Sequence, residues 1–195
     1  MKRLQNASDQ ELNAIRKFVG EAFVTNELFH EWGDPSERKD LVMSYMSVYV
    51  DYVYESKALY VTEDGSACIG LLPSVGAPKW PQIRMLFRLL KSIPFRKIKA
   101  LMGFIKQIAG SNKEYASKPH IEVLMVCVDK RAQGQGRARE LMEFAQSMAK
   151  EQGLPLLIGT DMKQYAEMYL HFGCRLFNKT VATNGVTRYN LIWEP

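Results

Sequence analysis

The sequence predicts a mixed α/β fold in which helices flank a mostly antiparallel sheet of about six to seven strands. First, a buried-strand pattern, a glycine-containing turn and an amphipathic helix follow one another without a gap over residues 121–150. Second, short apolar runs rich in β-branched residues recur elsewhere along the chain. Third, two connections carry hairpin turn residues, Glu63-Asp64-Gly65-Ser66 and Thr183-Asn184-Gly185.

Length and composition narrow the class of protein. The 195 residues suffice for one domain with a sizeable core, so we expect a single domain over residues 1–195. The N-terminus lacks the apolar core of a secretory signal, and no stretch is apolar and long enough to span a membrane, so we expect a cytoplasmic protein. No cysteine or histidine pair stands at metal-ligand spacing, which predicts no bound metal.

The N-terminal part of the chain predicts an edge strand, two helices and a hairpin. Ser8-Asp9-Gln10-Glu11 is a capping signal for the first helix, whose apolar face runs from Leu12 to Phe23. A break at Gly33-Asp34-Pro35 separates it from the second helix. The hairpin and the strand at residues 121–128 should form an antiparallel meander. The expected strands lie at residues 2–7, 58–62 and 67–72, and the second helix lies at residues 36–54.

A helical insertion, residues 73–119, separates the hairpin from the strand that follows it, and it is too long for a simple connection. Residues 83–93 and 95–108 have helical patterns divided by Pro94. Between residues 79 and 118 stand ten lysines or arginines and one acid, which leaves 16 bases and 20 acids elsewhere. We expect these bases opposite an apolar side made by Leu86, Phe87, Leu90, Ile98, Leu101, Met102 and Ile105.

Basic amphipathic helices of this kind bind membrane surfaces, nucleic acids or acidic partners. They can equally present a solvated face while they cover the core or a substrate pocket. No zinc-finger or RNA-recognition motif is present and interleaved aromatic residues are sparse, so we expect no nucleic-acid partner. A nucleic-acid binder would show steeply salt-dependent binding.

The C-terminal part predicts a short buried strand, a helix and a second hairpin. The helix ends at Gly173, and the Asn-Gly pair of the hairpin is a strong turn signal. The strands lie at residues 156–160, 175–181 and 186–193, and the helix lies at residues 161–170.

The turn at residues 134–138 predicts a phosphate-binding site. A small-residue turn that opens a helix leaves backbone N–H groups without partners and points the positive end of the helix dipole outward. A P-loop would need Gly-Lys-Ser/Thr, but Arg137 and Ala138 follow Gly136. A dinucleotide-binding fingerprint would need a small residue where Arg139 stands.

A third motif fits the same turn. From Val128 to Ala138 the sequence resembles the acyl-CoA-binding motif V-x-P-x-x-Q/R-x-x-G-x-G/A of the GNAT superfamily of N-acyltransferases, with Lys130 where proline is commoner. The order of predicted elements also resembles that superfamily. The resemblance implies acetyl-CoA as co-substrate, a strand at residues 156–160 that splays from its neighbour, and pantetheine in the gap. The implied cofactor-binding residues are Val126, Cys127, Val128, Gln133, Gly134, Gln135, Gly136, Arg137, Ala138 and Tyr165.

Acetyl transfer to an amine requires bound reactants, a neutral amine and a proton for the departing thiolate. Tyr169-Leu-His-Phe-Gly173-Cys174 resembles the family's Y-x-x-x-G-F segment, whose tyrosine is the usual general acid. Tyr165 stands where many members have an asparagine that contacts the cofactor.

Glu122 is the candidate base, because it is a carboxylate in an otherwise apolar strand. Strict alternation would place it on the same face as Leu124 and Val126. Glu122 could deprotonate the amine directly or through water. His120 is a second candidate for the base, and bulk water is the third.

These observations predict an N-acetyltransferase that moves an acetyl group from acetyl-CoA directly to a primary amine of a small molecule or peptide. Residues 23–54 and 73–119 would shape the acceptor pocket. The alternative is a non-catalytic acyl-CoA sensor or interaction module that uses the same site. The sequence leaves the oligomeric state open, a homodimer included.

Overall fold

One mostly antiparallel sheet of seven strands organises the chain in the computed structural model, which describes residues 1–108 and 110–195. The spatial order is β1-β2-β3-β4-β5-β7-β6, and only the β4–β5 pair is parallel. The predicted fold class and the meander of β2, β3 and β4 are confirmed. The strands are β1 (Lys2–Arg3), β2 (Leu59–Val61), β3 (Ala67–Pro73), β4 (Ile121–Val128), β5 (Leu156–Thr160), β6 (Arg175–Val181) and β7 (Thr187–Trp193).

The helices agree with the predicted ones to within a few residues. The capping box is confirmed: the Ser8 hydroxyl accepts from the Glu11 backbone N–H at 3.2 Å, and the Glu11 carboxylate accepts from the Ser8 N–H at 2.9 Å. The short α5 and two 3₁₀ turns were not predicted, because such short elements have no periodic pattern. The helices are α1 (Asp9–Phe23), α2 (Pro35–Glu55), α3 (Lys79–Ser92), α4 (Phe95–Ile108), α5 (Lys113–Ala116), α6 (Arg137–Gln152) and α7 (Lys163–His171), and the 3₁₀ turns are Glu27–Trp32 and Lys130–Ala132.

The core has two main clusters, one on each face of the sheet. Adjacent residues of β3 show this division, since Cys68 packs in the cluster that contains α1 and α2 whereas Ile69 packs in the cluster that contains α6 and α7. The sheet is therefore covered on both faces, as an α/β architecture requires.

A β-bulge at Leu124 interrupts the alternation of β4. Val123 pairs with Leu71 of β3 and Met125 pairs with Gly70, so Leu124 is an extra residue between them. Leu124 and Met125 both pack in the cluster of α1 and α2, and Val126 packs in the opposite cluster. The expectation that Glu122, Leu124 and Val126 share one face is therefore wrong for Val126, because a bulge inverts the alternation beyond it.

The sheet opens between its two parallel strands. β4 pairs with β5 only from Ile121 to Val123, opposite Leu156 to Ile158. The remaining five residues of β4 have no neighbour on that side. This is the splayed geometry that the family resemblance implied.

The insertion forms the two predicted helices, but the predicted apolar side is wrong in α3. Leu86, Phe87 and Leu90 are exposed, as is Met102 of α4, whereas Leu101 is buried and Ile98 and Ile105 are half-buried. The bases were expected on the side of α3 that faces away from the core, but the side that packs on α2 carries bases as well. Arg84 and Arg88 form ion pairs with Glu55 of α2 at 3.3 and 2.8 Å.

Trp32 connects the insertion to the rest of the core. Its indole Nε1 donates a hydrogen bond to the Lys97 carbonyl at 2.9 Å, and Lys97 Nζ donates to the Trp32 carbonyl at 3.0 Å. The ring is 2% exposed and lies 4.9 Å from that of Phe29, centroid to centroid. The second helix of the insertion is thus held by both packing and hydrogen bonds.

We expect Trp32→Ala to lower the free energy of unfolding by about 3–5 kcal/mol, because it leaves a large cavity in the core. Trp32→Phe keeps most of the apolar volume and loses the indole hydrogen bond, so its cost should be about 1–2 kcal/mol. Urea unfolding of both variants measures the difference. Equal stabilities for Trp32→Ala and the unaltered protein would refute this role.

Candidate active site

A cavity of about 640 Å³ extends from the gap between β4 and β5 to α1, α2 and α4. Tyr169 and Glu122, the two predicted catalytic residues, both line it. Of the predicted cofactor-binding residues, Val126, Cys127, Val128, Gln133, Ala138 and Tyr165 line it as well. Gly134, Gln135, Gly136 and Arg137 lie outside its lining, in the adjoining turn.

The turn requires glycine at two positions. Gly134 and Gly136 have φ angles of +77° and +80°, in the left-handed region that side chains with a Cβ disfavour. A Cβ built at either position meets no protein atom within 4 Å. Glycine is therefore required here by the backbone conformation and not by lack of space, and the space beside both residues is open to a ligand.

The same turn presents a row of unused donors. None of the backbone N–H groups from Gln133 to Arg139 donates a hydrogen bond within the described part of the chain, and the first that does belongs to Glu140, which bonds the Gly136 carbonyl at 3.1 Å. These groups stand at the positive end of α6, a 16-residue helix. The arrangement suits a phosphate or pyrophosphate.

The side chain of Arg137 fixes this turn to the β2–β3 hairpin. Its guanidinium pairs with Asp64 in the hairpin turn and with Glu140 at 2.7 Å. Hydrogen bonds from Thr62 and Ser66, together with Arg137, lower the pKa of Asp64 well below its usual range. The charge of Arg137 is therefore engaged by carboxylates, while its backbone N–H stays unused.

Main-chain groups of β4 are available in the gap. The Asp129 N–H donates to the Ser66 carbonyl at 2.8 Å, so alternation directs the main chain of Cys127 toward β3 as well. The main-chain groups of Val126 and Val128 accordingly point to the open side, where the Val128 carbonyl accepts a long hydrogen bond from Gln133 Nε2 at 3.4 Å. An extended ligand could pair with these two residues as an added strand. The main-chain groups of Cys127 are directed toward β3 and are not free for a ligand. Its thiol is unreactive, because burial raises the pKa of the thiol to about 12.

Tyr169 has the properties of a proton donor. Its side chain is buried, and burial raises the pKa of its phenol well above the usual value, so it stays protonated at physiological pH. Its hydroxyl makes no hydrogen bond to any described residue, which leaves the proton available to a ligand. Tyr165, one helical turn earlier, is more exposed and also lines the cavity.

Glu122, which lines the cavity, forms a pair with His120, which does not line it. His120 Nε2 lies 3.3 Å from the Glu122 carboxylate, and Nδ1 lies 2.7 Å from the Lys118 carbonyl, which can only accept. The hydrogen bond to Glu122 is the main cause of a raised pKa for His120, and burial opposes it. The two residues considered as alternative bases are therefore in contact.

The sequence did not identify the polar residues at the far end of the cavity. Arg188 of β7 donates two hydrogen bonds to Asp161, at 2.7 and 2.8 Å. Burial raises the pKa of Asp161, and Arg188 opposes that shift. No short-range pattern could have paired them, because they lie 27 residues apart. Gly159 leaves room for Arg188, whose Nη1 would stand 2.6 Å from a Cβ at that position.

Aromatic residues of α2 complete this end. Tyr45 and Tyr49 are stacked with ring centroids 6.3 Å apart, and the Tyr49 hydroxyl donates to the carbonyl of the bulge residue Leu124 at 3.3 Å. Burial raises the pKa of Tyr45 to about 12. The structure places both tyrosine rings in the cavity wall.

The family of the chain follows from a comparison of its sequence with protein-family models. The model described as an acetyltransferase (GNAT) domain matches residues 94–194, more than half of the chain. The chain belongs to this GNAT acetyltransferase family. It is therefore an acyltransferase, and the resemblance drawn from the turn and from Tyr169 is confirmed at the level of the family.

Solved structures share the fold at low sequence identity. A structure titled histone acetyltransferase HPA2 and related acetyltransferase, from Corynebacterium glutamicum, is 14% identical, covers 97% of this chain and 93% of its own, and has a TM-score of 0.61. An agmatine N-acetyltransferase is 12% identical, with 98% of both chains covered and a TM-score of 0.60. Arylalkylamine N-acetyltransferase 2 from Aedes aegypti is 14% identical, with 96% and 95% covered and a TM-score of 0.57. No curated protein matches at the sequence level.

The residues that the structure describes lack two kinds of feature. No helix among them is apolar and long enough to cross a membrane. They contain no group of three or more histidine, cysteine, aspartate or glutamate side chains arranged to hold a metal ion.

The His120–Glu122 contact predicts a pH-dependent stability. The folded-state pKa of His120 is raised, so the contact stabilises the fold fully below the unfolded pKa of about 6.5, and the contribution is lost as pH rises through the folded pKa. We expect Glu122→Gln to reduce stability at pH 6 and to have less effect at pH 9, as measured by urea unfolding. Glu114→Gln, at an exposed site on α5, is the control. A Glu122→Gln cost that is the same at both pH values would contradict the contact.

Proposed function

We propose that this enzyme transfers an acetyl group from acetyl-CoA directly to a primary amine of a small molecule or peptide. The observation that carries the proposal is the continuity of one cavity. It joins the open side of β4 and the helix-opening turn to Tyr169, Glu122 and the aromatic wall of α2. A donor and an acceptor could therefore meet beside both a proton donor and a carboxylate.

The residues present suit acetyl-CoA. The unused N–H groups of the turn, at the start of a helix, are donors of the kind that bind a pyrophosphate. The open main-chain groups of Val126 and Val128 suit the amides of pantetheine, which can pair like a strand. Tyr165 and Tyr169, on the side of α7 that faces the cavity, would stand near the end of that arm.

The reaction forms a C–N bond and breaks the C–S bond of the thioester. The amine must lose a proton, which Glu122 could accept directly, through water or with the help of His120, and bulk water remains a third acceptor. The thiolate that leaves must gain a proton, which Tyr169 supplies, because Tyr169 lines the cavity and its hydroxyl makes no hydrogen bond to a described residue. Positioning of the two reactants contributes the remaining acceleration.

The acceptor end favours an amine with an apolar or aromatic body. Tyr45 and Tyr49 provide flat apolar surface, and Glu122 provides a negative group for an ammonium. The acceptors named for two proteins of the same fold, agmatine and arylalkylamines, support an amine as substrate, and the arylalkylamines also support an aromatic body. We further propose one domain over residues 1–195 and, from its composition, a cytoplasmic location.

Calorimetric titration tests the co-substrate. We expect the unaltered protein to bind acetyl-CoA and CoA, and Gly134→Glu/Gly136→Glu to weaken binding at least 100-fold, because two carboxylates would repel the pyrophosphate. Gly134→Asn/Gly136→Asn is the matched control, since asparagine tolerates the left-handed conformation and carries no charge. Its binding should be weakened less. Acetyl-CoA binding by the unaltered protein that both variants retain would contradict the site.

Substitution of the proton donor tests the chemistry. We expect Tyr169→Phe to lower kcat by about 10²–10⁴, the usual contribution of a general acid, with an unchanged Kd for acetyl-CoA. Tyr60→Phe, on β2 and outside the cavity lining, should leave kcat unchanged. CoA release across a panel of primary amines provides the measurement. Tight binding of acetyl-CoA with no turnover of any amine would favour a non-catalytic sensor.

A further inference from the structure

α3 carries an apolar stripe on its outer side. Trp80, Ile83, Phe87 and Leu90 recur at intervals of three and four residues, which places them on one side of the helix. All four are exposed, Trp80 by 66% and Phe87 by 61%. The opposite side packs on α2 through Leu89 and the arginine ion pairs. Contiguous exposed apolar side chains on a protein surface often mark an interaction site.

Bases surround and continue this stripe. On the outer side of α4, Phe95, Lys99, Met102 and Lys106 follow at helical spacing and are all exposed. Within the described residues, five exposed bases of α3 and α4 lie within ion-pair distance of no carboxylate, in contrast to Arg84 and Arg88. These five are Lys79, Lys91, Arg96, Lys99 and Lys106. The exposed sides of α3 and α4 therefore both carry apolar and positively charged residues.

The combination of exposed apolar residues and bases on α3 and α4 distinguishes between three kinds of binding partner. A second copy docked by the same surface would bring like charges together across a two-fold axis, which is unfavourable. A nucleic acid would satisfy the bases but would leave Ile83 and Leu90 in water. An anionic bilayer has negative headgroups above an apolar layer and satisfies both sets of residues.

We propose that α3 and α4 dock this enzyme on the surface of an anionic lipid bilayer, with Trp80 and Phe87 inserted at the level of the headgroups. Aromatic side chains are favoured at that depth. The helices lie on the bilayer and do not span it. This proposal does not depend on the identity of the acceptor amine.

Co-sedimentation with vesicles tests the proposal. We expect binding to phosphatidylcholine vesicles that contain one-third phosphatidylglycerol, little binding to phosphatidylcholine alone, and weaker binding as salt increases. Each base near an anionic surface is worth about fivefold in partitioning. Lys91→Gln/Lys99→Gln should therefore weaken binding at least tenfold, and Trp80→Ser/Phe87→Ser should do the same by removing the inserted rings.

Matched controls use exposed residues on other elements. Val181→Ser on β6 and Lys39→Gln/Lys163→Gln on α2 and α7 should bind vesicles like the unaltered protein. Trp80 provides a second measurement, because its emission should shift to shorter wavelength with anionic vesicles and Trp80→Ser should lose the shift. Trp32 is already buried.

Three results would overturn the proposal. The first is no binding to anionic vesicles, and the second is binding that the α3 and α4 variants retain. The third is sedimentation equilibrium that shows a dimer which Trp80→Ser/Phe87→Ser converts to a monomer, since the stripe would then be covered by a second copy.

Discussion

The separation of β4 from β5 after three residue pairs is the constraint on which the site depends. Backbone groups inside a sheet are normally paired, and leaving them unpaired away from water is costly. Here the main chain of Val126 and Val128 faces a cavity rather than a strand. The gap is tolerated because these backbone groups face solvent or a ligand. β5 remains part of the sheet, since it pairs with β7 along its full length.

The bulge at Leu124 divides β4 into two parts that have different surroundings. Before the bulge, Glu122 lies near Tyr49 and Tyr52 of α2, where we propose that the acceptor binds. Beyond it, the strand runs beside the gap and into the turn that opens α6. One strand thus connects the proposed acceptor and donor sites, and α7 supplies Tyr169 from a third direction. A regular strand would have placed Glu122 and Val126 on one face.

Much of this arrangement could be predicted, because local residues determine it. Ser8 with Glu11 fixes the start of α1, and the apolar run ending at Val128 fixes β4. The bulge could not be predicted, since Leu124 differs in no visible way from its neighbours. Asp161 and Arg188 meet only through the tertiary fold. The orientation of α3 was misjudged because both of its sides carry apolar residues, and periodicity does not tell which side faces the core.

We propose that the turn, the gap and Tyr169 form one acetyl-CoA site. A crystal structure of the complex with acetyl-CoA would test this arrangement. We expect the pyrophosphate against the N–H groups between Gln133 and Arg139, the pantetheine along Val126 and Val128, and the thioester sulfur beside the Tyr169 hydroxyl. Acetyl-CoA bound elsewhere on the protein, with the gap between β4 and β5 closed or empty, would contradict it.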